Sequence, residues 1–219
     1  MRLIHLLTVA ATFAVAAAAN AVTVMSVPGA PDPGPSGGQS ILVDFNSALP
    51  AGFTLTGNYA YATGTSANAA TPAGDMTRYL YASSALPGNS ATLTSALNLS
   101  RVSFYWGSID KYNTVDVLGA GGATIYSLNG SMIPPSNGDQ SASSTNRRVS
   151  FKAGKGEVIT GLKFISNGVA FEVDDVAGKI AGSGSGSTVT EPGVWTMLIA
   201  GFGLVGVGSR RRRMNVVAA

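Results

Sequence analysis

The chain has 219 residues, room for one domain of ordinary size, and no second block carries an apolar pattern of its own. It has no cysteine and a single histidine, His5, so once its first residues are removed it has no disulfide, no Ser-His-Asp triad, no cysteine nucleophile and no His- or Cys-ligated zinc or copper site. The net charge of +3 comes from the two ends: from Val22 to Thr190 nine Lys and Arg stand against ten Asp and Glu, and a near-neutral body without a basic stripe gives no footprint for nucleic acid.

Residues 1–21 have the pattern of a secretory signal peptide. Arg2 supplies the positive charge, Leu3 to Ala18 is almost wholly apolar, and Ala19-Asn20-Ala21 is a small-x-small cleavage pattern. Residues 22–39 read as a Pro/Gly-rich linker or arm, because "PGAPDPGPSGG" from Pro28 denies continuity to helix and strand alike.

The domain is expected at residues 40–180. Short runs alternate apolar and polar residues with β-branched and aromatic enrichment: "ILVDF" at Ile41, "RYLYAS" at Arg78, "ATLTSAL" at Ala91, "RVSFYWGSI" at Arg101, "NTVDVLG" at Asn113, "ATIYSL" at Ala123, "RRVSFKA" at Arg147, "VITGLKFIS" at Val158 and "VAFEVDDVA" at Val169. Turn clusters such as Pro87-Gly88-Asn89 and Ser166-Asn167-Gly168 separate them, and no segment shows the period of an amphipathic helix. This predicts an all-β fold, an antiparallel β-sandwich of jelly-roll type with about eight or nine strands. Alternation in "FYWGSID" puts Phe104 and Trp106 on one face and Tyr105 on the other, and a sandwich with few large apolar groups needs its tryptophan inside.

A Gly/Ser-rich spacer at 181–190 precedes an apolar stretch from Val194 to Gly208 that opens on Trp195 and ends at Arg210, Arg211, Arg212 and Arg213, with a tail at 214–219. Tryptophan suits a membrane interface and an arginine cluster stays on the cytoplasmic side. At 1.5 Å per residue the stretch covers about 22 Å, short for a permanent membrane anchor. A short transmembrane helix that is held only transiently fits both its length and its tether.

"EPGVWTMLIAGFGLVGVGSRRRR" resembles the PEP-CTERM sorting signal in its tryptophan-containing subtype, with Thr190 where that pattern opens on proline and Thr196 where it has alanine. The resemblance implies that Glu191 and Pro192 are the recognition motif and that residues 191–213 are the complete signal. It further implies that an exosortase removes the tail after secretion across the inner membrane of a Gram-negative bacterium, and that the product goes to the cell surface or the extracellular polysaccharide.

The body is similar, more loosely, to jelly-roll carbohydrate-binding modules, in "SFYWGSIDKYNTVDVL" and "GVAFEVDDVA". That similarity implies a structural calcium ion beside Asp44 and Asp174 or Asp175; solvated acids at strand ends are the alternative. It also implies glycan contact through Tyr105 and Tyr112, with Asp110 and Asn113 taking hydroxyl hydrogen bonds. The expected role is structural, adhesive or glycan-binding and not enzymatic. The alternative is a glycoside hydrolase drawing two carboxylates from Asp110, Asp116, Glu172 and Asp174, should any of these converge.

Overall fold

The computed structural model describes residues 22–182. They form eleven strands: β1 (Thr23–Pro28), β2 (Ser40–Val43), β3 (Phe53–Gly57), β4 (Ala60–Ala62), β5 (Tyr79–Ala82), β6 (Ser90–Gly107), β7 (Asn113–Leu118), β8 (Thr124–Asn129), β9 (Arg147–Lys152), β10 (Ile159–Ser166) and β11 (Phe171–Ile180). Every pairing is antiparallel. Helical structure among the described residues is limited to two single 3-10 turns, and none of it is long and apolar enough to cross a membrane.

β6 organises the fold. Its first part, Ser90 to Ser95, pairs with β10 and β3; its second, Arg101 to Gly107, pairs with β11 and β9. The register shifts where the two parts meet, opposite Ile159 and Gly161. Gly161 is needed there, since a Cβ would stand 2.6 Å from the Leu93 carbonyl oxygen. One half of the sheet is therefore β3-β6-β10-β7-β8, and the other runs from β4 and β5 through β11, β6 and β9 to β1. Phe104 and Phe171 of the second half meet Phe164 of the first at ring distances of 5.2 and 5.3 Å, so the two inner faces make one core. This sandwich-like, all-β arrangement is consistent with a jelly roll. Trp106 is fully buried in it and stacks on Phe171 at 4.3 Å, as the alternation of its strand predicts.

Two expectations are corrected. The segments predicted as separate strands at Ala91 and Arg101 are one bent strand of 18 residues. Residues 22–39 are not a linker ahead of the domain, because Thr23–Pro28 is a strand paired with β9. The Pro/Gly-rich stretch that follows lies on the outer face of the second half, where Asp32 forms an ion pair with Arg148 and Tyr105 donates to the Gly29 carbonyl at 2.9 Å. Proline and glycine do prevent strand pairing there; the arm is held by side chains instead.

A loop from residue 63 to 77 covers the neighbouring part of that outer face. Its passage over β6 requires Gly107, where a Cβ would meet Pro72 at 3.0 Å. Ala69, Tyr79, Tyr81 and Ala170 form a second, small core beneath it.

Candidate functional site

Where this loop meets the ends of the strands, a cavity of about 300 Å³ opens, at the small end of the range for ligand pockets. Its walls come from the 66–70 segment, the β6–β7 connection with Asp110 and Tyr112, the turn at Asn137 to Gln140, Val169 and Glu172. Glu172 reaches it because β11 alternates: Phe171 and Val173 face the core, so Glu172 faces outward, opposite Gly107 and Tyr81. The covering loop then buries it to 1 % exposure.

The buried carboxyl is held by two donors. The Ala70 N–H donates to Oε1 at 2.9 Å and the Ser108 hydroxyl to Oε2 at 3.1 Å. Burial nonetheless pushes its pKa to about 7, with the Asp110 charge adding to the rise against the pull of the hydrogen bonds. Asp110 is also raised by burial, opposed by Tyr112, whose hydroxyl donates to Oδ2 at 2.6 Å. Burial and the Asp110 carboxylate raise Tyr112 well above the ordinary phenol range. Gly138 lets the facing turn approach: its φ is +69°, and a Cβ would lie 2.6 Å from Asp110 Oδ1. No Lys or Arg lines this cavity.

Of the residues predicted for glycan contact, Asp110 and Tyr112 line the cavity and two do not. Tyr105 is 1 % exposed, its hydroxyl shared between the Gly29 and Ala73 carbonyls, so it locks the arm and the loop in place. Asn113 is wholly buried, donating to the Ala170 carbonyl at 2.9 Å and accepting from the Ser166 hydroxyl at 2.8 Å. Both are structural. Strand alternation correctly turned Tyr105 away from the core, but a chain segment distant in sequence covers it. Glu172, named beforehand only among four scattered acids, comes beside Asp110; Asp116, out on β7 opposite Lys163, does not line the cavity.

None of the acids named for calcium lines this cavity, and Asp44 lies close enough to Asp175 for its charge to help raise that carboxyl. Among the described residues no group of three or more Asp or Glu is arranged to hold a metal. Asp44 accepts from the Asn46 N–H at 3.1 Å in its own turn, while Asp174 is 3 % exposed and accepts from the Asp175 N–H and the Thr77 hydroxyl. The acid that approaches Asp174 is Asp75, to which the same Thr77 hydroxyl lies at 2.6 Å.

Glu191, Pro192, Trp195 and Arg210 to Arg213 lie outside the described residues, as do the signal peptide, most of the spacer and the expected transmembrane helix. Their assignment rests on comparison with known proteins. Residues 188–213 match the PEP-CTERM protein-sorting motif. This motif implies an exported protein, processed by an exosortase and targeted to the surface of a Gram-negative bacterium. No curated protein and no solved structure matches the chain. The PEP-CTERM match identifies how the protein is sorted, and the body has to be read from its own geometry.

Proposed function

We propose that this is a surface or extracellular-matrix protein whose sandwich binds polysaccharide in the exopolysaccharide layer or biofilm, after an exosortase has cut at the PEP-CTERM motif. The observation that carries the binding role is the cavity at Asp110, Tyr112 and Glu172. Its carboxyl, amide and hydroxyl groups suit the hydroxyls of a sugar, and Val169, 46 % exposed, offers an apolar patch at the rim.

Binding of neutral oligosaccharides by the secreted protein, followed by calorimetry, is the test. Asp110→Asn and Tyr112→Phe are each expected to weaken it about tenfold or more, as loss of a charged or shared hydrogen bond costs about 1.5–3 kcal/mol. Undiminished affinity in both variants would move the ligand elsewhere.

A second reading, glycoside hydrolysis, is favoured by one observation: Glu172, raised to about 7, shares the cavity with Asp110, an acid and a base in one place. Against it, both Glu172 oxygens already face protein donors, which suits a structural carboxyl better than an acid that must reach a glycosidic oxygen. We therefore infer a binding protein and not an enzyme. Release of reducing ends from shed polysaccharide, lost in Glu172→Gln, would reverse that choice.

For sorting, intact-mass analysis of the protein from culture supernatant is expected to show a C-terminus near Pro192 with no arginine cluster. Glu191→Ala with Pro192→Ala is expected to leave the full tail in place and shift the protein to the membrane fraction. An unchanged mass would remove these two residues from the recognition motif.

A further inference from the structure

Far from the cavity along β6, the outer face of the second half-sheet carries a feature that residue counts hide. In the strand register Lys152 of β9 lies opposite Arg101 of β6, and Arg101 lies opposite Lys179 of β11. Directly opposed residues of antiparallel strands point to the same side. Their neighbours Phe151, Val102 and Gly178 are buried, so the three cations point outward. With strands about 4.8 Å apart, they form a line roughly 10 Å long across the sheet.

This row is not balanced by acids. Among the described residues the one ion pair is Arg148 with Asp32, four residues from Lys152 along β9, and none of the three cations has a carboxylate partner. Like charges directly opposite one another destabilise a sheet. Glu157, in the turn after β9, accepts from the Gly154 N–H at 3.1 Å. Beside the row is a shallow hollow of about 150 Å³, lined by Thr23, Met25, Arg101, Ser150 and Lys152, with Met25 55 % exposed. At its other end the arm crosses on Gly37 and Gly38, both at positive φ; a Cβ on Gly37 would come within 2.9 Å of the Arg101 guanidinium. The arm thus passes Arg101 and Lys179 with the least bulk that a chain can have, leaving those two partly exposed and Lys152 exposed.

We propose that Lys152, Arg101 and Lys179 form a docking surface for an acidic polysaccharide, a chain bearing carboxylates at regular intervals. The three positions follow one another across adjacent strands, which suits an extended polyanion better than a single anion. It has no aromatic platform for the bases of a nucleic acid: the tyrosine of this face, Tyr105, is buried under the arm. The choice of polysaccharide rests on the location proposed above, in the exopolysaccharide layer. This surface is separate from the cavity, which is lined by acids and selects against such a chain.

The test is retention of the secreted protein on immobilised polygalacturonate, measured across a salt series. Wild type is expected to bind, with affinity falling as salt rises. Arg101→Gln combined with Lys152→Gln and Lys179→Gln should weaken binding by roughly tenfold or more, at an unchanged or higher melting temperature because the repulsion is relieved. Arg101→Gln alone should weaken it more than Lys163→Gln, which removes the same charge from the other half-sheet. Equal loss in those two variants would show a net-charge effect and overturn the proposal. Equal or tighter binding of duplex DNA, or of phosphatidylglycerol vesicles, would overturn the choice of polysaccharide. Asp110→Asn is expected to leave polygalacturonate binding intact, and the triple variant to leave neutral-sugar binding intact, so failure at one surface is distinguishable from failure at the other.

Discussion

Raising the pH is expected to destabilise the body progressively from about pH 4, less steeply above about pH 7 and no further above about pH 9, and Asp174→Asn is expected to end the fall near pH 7. The loss comes from two buried carboxyls. Glu172 is raised to about 7 chiefly by burial. Asp174 is raised to about 9, again by burial first and then by Asp75 beside it. Thr77 has one hydroxyl proton for two carboxylates, and Asp75 Oδ2 is buried with no donor of its own. The proton that Asp174 keeps, donated in a hydrogen bond to Asp75, resolves both facts. In the unfolded chain these groups titrate near 4. The folded state therefore keeps protons that the unfolded state has lost. Its advantage is complete below about pH 4 and disappears as the pH rises through the folded values. Melting temperatures followed by circular dichroism should fall on the alkaline side by something on the order of 10 °C. Asparagine at 174 can donate to Asp75 at every pH, so the variant should lose less stability between about pH 4 and 7 and none between about 7 and 9. A variant profile that overlays the wild type would remove Asp174 as the source.

How much of this was legible in the sequence depends on how local the cause is. Period-two runs located β2, β5 to β11 and the inward Trp106, because alternation is a property of a few adjacent residues. β3 and β4 were missed: they are short, half-exposed and rich in Thr, Ala and Gly. β1 was masked by the prolines and glycines that follow it, although "TVMSVP" itself alternates. The Asp110–Tyr112 hydrogen bond joins residues two apart, and those two were named together. Glu172 joins them from the last strand, and what buries it is a loop after β4, so neither its depth nor its raised pKa is a local property. The row of Lys152, Arg101 and Lys179 is the extreme case. A near-neutral total suggested a body without a basic stripe, but register between three strands assembles one. The sorting tail was legible because it is read as a linear motif, and residues 188–213 match the PEP-CTERM protein-sorting motif.

Trp106→Ala is expected to cost about 3–5 kcal/mol, the range for removing a large buried aromatic side chain. Trp106 has no exposed surface, stacks nearly parallel on Phe171 at 8°, and touches Phe104, which in turn contacts Phe151 and Phe164. It belongs to the core that the two half-sheets share, and the strands around the cavity left behind cannot move inward without breaking their ladders. Against a typical total of about 5–15 kcal/mol, such a loss takes the body close to unfolding without any disulfide to hold it. Trp106→Phe should be far milder. The indole Nε1 is buried with no hydrogen-bond partner, and phenylalanine removes that orphaned donor while keeping a ring against Phe171. Urea unfolding monitored by far-ultraviolet circular dichroism separates the two variants. If Phe costs as much as Ala, the stacking account is wrong and the indole has a polar role in the core.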